Sequence, residues 1–255
     1  MYKKKYGQNF LVNHHISKKI LLNEKIKHKN ILEVGTGNLA LSKFIISSQP
    51  KKFLGIEVDR DLSDIYSKNK ISDKIIFKDA LKINERKFFN NENFSIISNL
   101  PFNISSELVI KWCRIQNSYN CINSMLLMFQ KELAERIVAK KDTKKYGRLS
   151  ILCNAFFSIK KKILVSKNNF YPIPKVDALV LNFTPHKNNK VKKNNFQKLE
   201  KLTRIFFNER RKKNKKKIIK NFSISQIKKY NLDKLYDLRA ENIEKEIFFK
   251  LSDIL

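Results

Sequence analysis

Cysteine is scarce in this sequence, and long apolar runs are missing. Cys113, Cys121 and Cys153 are odd in number and form no C-x-x-C pair, which argues against a disulfide framework and a zinc site. No run of about 18 apolar residues occurs that could span a membrane. The first residues, MYKKKYGQNFLVNHH, also lack the apolar core of a secretory signal. The sequence therefore predicts a cytoplasmic protein without a zinc site.

Acidic residues are few compared with basic ones. Lys and Arg number 54 against 23 Asp and Glu, which gives a formal net charge of +31. Part of this excess reflects a general abundance of lysine. A protein this basic is nevertheless typical of one that binds a polyanion, and nucleic acid fits the composition better than a membrane surface.

Apolar runs rich in β-branched residues alternate with segments whose apolar residues have helical spacing. Strands are predicted at 30–35, 53–58, 74–79, 94–98, 122–129 and 178–185, with one more within 155–165. Helices are predicted between the earlier strands, for example at 60–69 and 105–115. This alternation predicts an α/β fold with a mostly parallel sheet and antiparallel pairing among its last strands.

The composition changes after Pro185. Residues 186–195 are polar and rich in lysine, which predicts an exposed linker, and the sequence beyond them has helical patterning without a strand signal. We therefore expect two domains: an α/β domain over 1–185 and a small, basic, all-helical domain over 186–255.

The first of these strands runs into the sequence EVGTGNLA. Gly35 and Gly37 allow a tight turn and close approach of a ligand to the backbone, and a small residue completes the G-x-G-x-x-A pattern. Glu57 ends the second strand, where a carboxylate can accept hydrogen bonds from both hydroxyls of a ribose. Asp79 would lie next along the same edge, within reach of an adenine amino group. Each acid alone is compatible with a helix cap, but together they favour a nucleoside site.

The loop after the fourth strand reads SNLPFNIS. The exocyclic amine of adenine is a poor nucleophile because its lone pair is delocalised into the ring. The side-chain oxygen of Asn99 and the backbone carbonyl of Leu100 could accept both amine hydrogens and free that lone pair. Pro101 stiffens the loop, and Phe102 offers a face on which a base can stack. We predict a catalytic loop over these four residues; the alternative is a proline turn with Phe102 in the core.

Ten stretches of the sequence are taken together, and they span nearly the whole chain. They are YGQNFL (6–11), EVGTG (33–37), EVDRDL (57–62), DAL (79–81), SNLPFNIS (98–105), QKELAERI (130–137), YGRLS (146–150), FYPIPKVDA (170–178), ERRK (209–212) and LRAENI (238–243). This set resembles the ribosomal RNA adenine N6,N6-dimethyltransferases, in particular those that act on the small subunit.

The resemblance implies a Rossmann-like class I methyltransferase sheet with a small C-terminal helical domain. It also implies S-adenosylmethionine as cofactor, S-adenosylhomocysteine as product and no metal. The expected substrate is 16S (small-subunit) rRNA in immature subunits, where two adjacent adenines of the 3′-terminal hairpin loop would be dimethylated. A role in small-subunit biogenesis is expected, as are a monomeric state and the lack of an obligate protein partner.

The resemblance also assigns cofactor-binding residues. Asn9 and Leu11 are expected to close over the cofactor. Gly35, which shares the glycine turn with Gly37, is expected to line the methionine part of the cofactor. Glu57 would hold the ribose hydroxyls and Asp79 the adenine end.

On the substrate side, the resemblance assigns the target amine to Asn99, which also borders the cofactor. Phe170 is expected to sandwich the flipped base against Phe102, with a core phenylalanine as the alternative. The sequence departs from the family at Leu39, where a third glycine is common, and at Ala178, where serine is usual.

A basic run in the helical domain is the expected RNA contact. Residues 204–220 contain nine basic residues and one acid. We predict that Arg210, Arg211, Lys212 and Lys213 bind RNA phosphates, although a charge run can also be only a solvated face.

Three other functions stay open on the sequence alone. A nicotinamide-dependent oxidoreductase would explain the glycine turn and Glu57, but not the NLPF loop or the charge. A non-catalytic RNA-binding assembly factor would keep the fold without methyl transfer. An adenine methyltransferase acting on large-subunit RNA or on DNA would use the same chemistry.

Overall fold

The computed structural model of the chain describes residues 3–255, apart from the side chain of Lys4. These residues form two compact units. The first contains the chain up to Lys111 together with 121–134 and 159–184, and the second contains 112–120, 135–158 and 185–255. The second unit thus includes the expected helical domain and, in addition, two earlier segments.

Nine strands occur within the described residues. In chain order they are β1 Phe10–Leu11, β2 Asn30–Val34, β3 Lys52–Glu57, β4 Ile75–Phe77, β5 Phe94–Asn99, β6 Ile122–Gln130, β7 Phe157–Val165, β8 Phe170–Tyr171 and β9 Ala178–Pro185. Every strand predicted from the sequence is present, and the β1–β8 pair is the one addition.

Seven of these strands form one sheet in the order β4-β3-β2-β5-β6-β9-β7. The pairs from β4 to β6 are parallel, and β9 pairs antiparallel with β6. The strand β2 is buried along its whole length, and three of its five residues are apolar, while Asn30 and Glu33 are polar. The parallel pairing brings the carboxyl ends of β2, β3, β4 and β5 to one edge of the sheet.

The remaining two strands form a short antiparallel ribbon. Phe10 faces Tyr171 and Leu11 faces Phe170 across it. Leu11 and Phe170 belong to the same buried cluster of the core. The ribbon therefore ties the N-terminal segment to the segment before β9.

Eleven α-helices lie among the residues described. They are α1 His14–Leu21, α2 Ser42–Ser47, α3 Ser63–Lys68, α4 Glu85–Phe88, α5 Ser105–Tyr119, α6 Lys131–Ile137, α7 Arg148–Asn154, α8 Phe196–Asn208, α9 Lys215–Asn221, α10 Ile224–Lys229 and α11 Lys245–Ser252. None of the helices found in residues 3–255 is long and apolar enough to cross a bilayer.

The second unit has its own aromatic core. Phe206 of α8 and Phe248 of α11 pack edge to face with their ring centroids 5.4 Å apart. The buried hydroxyl of Tyr146 donates a hydrogen bond of 3.0 Å to the carbonyl of Ile243. These contacts explain why the segment 135–158 belongs with the C-terminal helices.

Candidate active site

A cavity of about 260 Å³ opens at the carboxyl edge of the parallel strands. Its walls are drawn from five segments, which are residues 6–10, 33–41, 56–58, 78–81 and 99–104. Six of the seven predicted cofactor residues line it, namely Asn9, Gly35, Gly37, Glu57, Asp79 and Asn99. The seventh, Leu11, is 1% exposed and packs in the core behind the ribbon.

The glycine turn after β2 needs residues without side chains. Gly35 and Gly37 have φ values of +74° and +49°, in the left-handed region. A Cβ atom on Gly35 would lie 3.1 Å from the Pro101 ring, and one on Gly37 would lie 2.9 Å from the Phe10 ring. Leu39 also has a positive φ, +66°, and is fully buried, so this departure from the family keeps the backbone of a glycine loop.

Glu57 is fixed by backbone amides at the end of β3. Gly37 N donates to its Oε2 at 3.1 Å, and Val58 N and Asp59 N donate to its Oε1 at 2.8 and 3.0 Å. The carboxylate is therefore held against the glycine turn at the pocket wall. Carboxylate oxygens keep further acceptor capacity, which suits a pair of hydroxyl donors.

Asp79 follows β4 and serves partly as a turn residue. Its Oδ1 accepts a hydrogen bond of 2.9 Å from Leu81 N, and its Oδ2 lies 4.0 Å from Lys82 Nζ. This hydrogen bond closes a turn and does not cap a helix, because the next helix begins at Glu85. The side chain nevertheless lines the same pocket as Glu57.

Asn99 ends β5 with a buried acceptor. Its Nδ2 donates to the carbonyl of Asn9 at 3.1 Å, which turns Oδ1 the other way. That Oδ1 is buried and accepts no hydrogen bond from the residues that the structure describes. A buried polar atom without a partner costs about 1–3 kcal/mol, so its presence beside a pocket indicates a donor that arrives with a ligand.

The rest of the loop is shaped by its neighbours. Leu100 is 2% exposed, and its N–H donates to the carbonyl of Met128 at 3.3 Å. Pro101 borders the glycine turn at Gly35. Phe102 is half-buried and packs against the core cluster. It is not among the lining residues of the cavity found in the described part of the chain.

Phe170 lies in the core in this structure. The β1–β8 pairing turns it inward toward Leu11, and it is 2% exposed. It therefore offers no face to a base unless its ring moves. The next residue, Tyr171, points the opposite way and is 63% exposed.

The family model for ribosomal RNA adenine dimethylase matches residues 1–255. The chain belongs to the ribosomal RNA adenine dimethylase family. This membership confirms the predicted resemblance and makes the chain an S-adenosylmethionine-dependent methyltransferase of ribosomal RNA. The oxidoreductase alternative therefore does not apply.

Sequence relatives and solved structures agree with that membership. The chain is 39% identical to ribosomal RNA small subunit methyltransferase A of Pelagibacter ubique over 98% of this chain and 95% of the relative. It is 35% identical to the protein of the same name from Mycoplasmopsis pulmonis over 98% and 97%.

Its fold matches that of a dimethyladenosine transferase from Plasmodium falciparum with a TM-score of 0.75, at 27% identity and 95% coverage of both chains. The 23S rRNA methyltransferase ErmE shares the fold at a TM-score of 0.69 and 18% identity, with 96% and 98% of the chains covered. The predicted Rossmann-like class I fold is thereby confirmed.

The pocket chemistry fits the cofactor of the dimethylase family. The glycine turn leaves a cradle that a Cβ atom would fill, and two carboxylates line the edge beside it. Within residues 3–255, no group of three or more His, Cys, Asp or Glu is placed to hold a metal ion.

Sequence reasoning missed the anchor of the N-terminal segment. The buried carboxylate of Asp59 accepts hydrogen bonds from Lys3 Nζ at 2.6 Å and from Gln8 Nε2 at 2.8 Å. Burial alone would raise the pKa of Asp59, but these hydrogen bonds outweigh it and lower the pKa. Since Gln8 lines the pocket, this anchor holds one of its walls. The available sequence signal for this anchor was Asp59 itself, an acidic residue in the EVDRDL stretch.

Glu33 is a second missed residue, and it lies in β2 on the pocket wall. Burial raises the pKa of this carboxyl to about 8, partly offset by the Ser42 hydroxyl and increased by the charge of Glu57. Ser42 Oγ donates to Glu33 Oε2 at 2.6 Å. The available sequence signal was an acidic residue within a predicted strand of otherwise mainly apolar residues.

The predicted RNA-binding residues lie in the second unit and differ in what they contact. Arg210 donates to Glu241 Oε2 at 2.6 and 2.8 Å and to the carbonyl of Thr143 at 3.2 Å. Lys212 pairs with Glu209, and Lys213 pairs with Asp237 at 2.8 Å. Arg211 is exposed, and no ion pair to it occurs among the described residues.

Proposed function

We propose that this chain dimethylates N6 of two adjacent adenines in the 3′-terminal hairpin loop of 16S rRNA, in immature small subunits. The buried Oδ1 of Asn99 carries this proposal, since it lacks a donor among the described residues and borders the pocket. The names of the relatives from Pelagibacter ubique and Mycoplasmopsis pulmonis support the small subunit as the target.

Asn99 and Leu100 act on the target amine. S-adenosylmethionine, when bound, supplies a methyl group on a positively charged sulfur that leaves as a neutral thioether. The Asn99 side-chain oxygen and the Leu100 carbonyl accept hydrogen bonds from the amine and hold the nitrogen lone pair toward that methyl group. After each transfer the methylated nitrogen releases one proton to water. Alignment of the reacting atoms at about 3 Å provides much of the rate gain.

The cofactor residues follow the geometry of the sheet edge. Glu57, held by Gly37 N, would accept hydrogen bonds from the ribose hydroxyls. Asp79 would accept a hydrogen bond from the adenine amine, and Gly35 would line the methionine part. Asn9, whose carbonyl accepts from Asn99 Nδ2, links the segment over the cofactor to the target-amine residue.

The target base must leave its stack to reach the loop, at a cost of about a few kcal/mol that is least for a loop adenine. Phe102, in the same loop as Asn99, would provide the stacking face. Phe170 would join it only after its ring leaves the core. We assign the catalytic chemistry to residues 1–185 and RNA phosphate binding to 186–255, with Arg211, Lys212 and Lys213 exposed for that purpose.

The test uses immature small subunits, labelled S-adenosylmethionine and either wild-type protein or Asn99→Ala. We expect label in N6,N6-dimethyladenosine of the 3′-terminal hairpin. The substitution should reduce the rate about 100-fold or more, because it removes a hydrogen bond that strengthens in the transition state.

Lys3→Met is the matched control. Lys3 Nζ donates to Asp59 Oδ1 at 2.6 Å, so Lys3 also ties down the N-terminal segment, but it is not among the described residues that line the pocket. If Asn99 only tied down the N-terminal segment, the two variants would lose similar activity; we expect Lys3→Met to lose far less. A parallel reaction contains large-subunit RNA, and label confined to that RNA would move the target. Tight binding to small subunits without label would indicate a binding factor.

A further inference from the structure

The side chain of Lys111 binds a segment far from its own helix in sequence. It lies in α5, the helix that follows the NLPF loop. Its Nζ donates to the carbonyl of Ala80 at 2.6 Å and to that of Ile83 at 2.8 Å, and lies 2.9 Å from Glu85 Oε1. The lysine side chain is 17% exposed and that of Glu85 is 1% exposed. One ammonium thus binds three oxygens in a mostly buried setting.

The segment that Lys111 binds follows Asp79 and forms a pocket wall. Asp79, Ala80 and Leu81 line the cavity. Two local bonds shape the turn, from Leu81 N to Asp79 Oδ1 at 2.9 Å and from Lys82 N to the Asp79 carbonyl at 3.0 Å. Lys111 adds the long-range contacts, from a residue 31 positions beyond Ala80.

The geometry points to Lys111 as a positioning residue for the adenine subsite of the cofactor. This inference rests on the proposed placement of the cofactor's adenine at Asp79. The ammonium fixes the Ala80 and Ile83 carbonyls and so sets the wall that the adenine ring contacts. The helix α5 begins shortly after the NLPF loop. One helix is therefore joined to the loop for the target amine and also supplies the lysine that holds the pocket wall at the adenine subsite.

The sequence offers a closely matched control in the same unit. Lys162 Nζ donates to the carbonyl of Leu22 at 3.1 Å and forms an ion pair with Glu24, and its side chain is 21% exposed. Lys162, Leu22 and Glu24 are absent from the pocket walls that the described residues form. Lys111→Met and Lys162→Met therefore remove the same kind of clamp at two places, of which only one borders the pocket.

The test measures affinity for S-adenosylhomocysteine and 5′-methylthioadenosine by calorimetry, alongside RNA affinity. We expect Lys111→Met to raise the Kd for both ligands about tenfold, the size expected for one lost hydrogen bond to a charged group. RNA affinity should stay within about twofold of wild type, and Lys162→Met should leave the Kd of both ligands unchanged.

A second variant keeps the test decisive if Lys111→Met does not fold. Lys111→Met combined with Glu85→Gln also removes the buried carboxylate charge, so it tests the clamp if the single variant fails to fold. Folded variants at Lys111 that bind S-adenosylhomocysteine like wild type would overturn the inference, as would equal weakening by Lys162→Met. A wild-type protein that binds neither ligand would instead overturn the proposed function on which the inference rests.

Discussion

Glu33 is the residue at which burial and charge conflict most directly. Its carboxyl is enclosed in β2, and its pKa is raised from 4.5 to about 8, mainly because burial penalises the charged form. At a pH between about 4.5 and about 8, Glu33 holds a proton in the folded protein but not in the unfolded chain. The stability contributed by the protonated carboxyl is therefore complete below about pH 4.5 and is lost as the pH rises through about 8.

We predict that Glu33→Gln makes the protein without cofactor less sensitive to pH. At about 1.4 kcal/mol per pKa unit, the wild type should lose about 4 kcal/mol across this range through Glu33, while the amide cannot ionise. The Tm of the variant minus that of wild type should thus rise by several degrees between pH 5 and pH 8. Glu107→Gln, at an exposed position of α5, is the control, and a Tm difference independent of pH for Glu33→Gln would contradict the prediction.

At the scale of elements, the parallel strands explain why the main site residues could be predicted. Glu57, Asp79 and Asn99 each stand at or just after the end of a strand, and parallel strands end at one edge. Adjacent predicted strands therefore brought them to one pocket without further information. The glycine turn was predictable for the same reason.

Other contacts could not be predicted because they join segments distant in sequence. Gln8 and Asp59 are 51 residues apart, and nothing local in either stretch indicates the other. Phe170 depends on the register of the β1–β8 ribbon, in which each strand has only two residues, too few for an alternating pattern to show which side chain faces inward. The segment 135–158 groups with later helices in the second unit, and these contacts also join residues distant in sequence.

The N-terminal segment should depend on its anchor at Asp59. We predict that Gln8→Ala weakens S-adenosylmethionine binding about tenfold, since one hydrogen bond to a buried carboxylate is lost from a pocket wall. Calorimetry measures the Kd, and limited proteolysis should show faster cleavage before residue 12. Lys74→Ala, which breaks the exposed ion pair with Asp73, is the control. An unchanged Kd for Gln8→Ala would show that the segment holds its place without the anchor.

At the scale of the whole molecule, the net charge of +31 should make RNA affinity depend strongly on salt. We predict that the logarithm of the RNA Kd rises steeply and linearly with the logarithm of salt concentration, because bound phosphates release counterions. Arg211→Ala should reduce the magnitude of that slope by about 1, the contribution of one phosphate contact. It should weaken the binding of all RNA sequences alike. Filter binding measures both effects in a series of salt concentrations from about 50 to about 200 mM.

Two control variants separate binding from folding in that experiment. Lys68→Ala, exposed at the end of α3 in the first unit, should leave the slope unchanged. Arg210→Ala should lower the Tm, because Arg210 joins Glu241 to the carbonyl of Thr143 within the second unit. A flat salt profile for the wild type would mean that the basic residues serve no phosphate contact.

The order of the main sheet also bears on self-association. An open sheet leaves unpaired N–H and C=O groups on its two end strands, where another chain could add a strand. At one end β4 is only three residues long, which gives little to pair with. At the other end β7 carries Lys160, Lys161 and Lys162 in succession, two of them exposed. Repulsion between Lys160 and Lys161, the two exposed lysines, opposes the addition of a strand from a second copy at this edge.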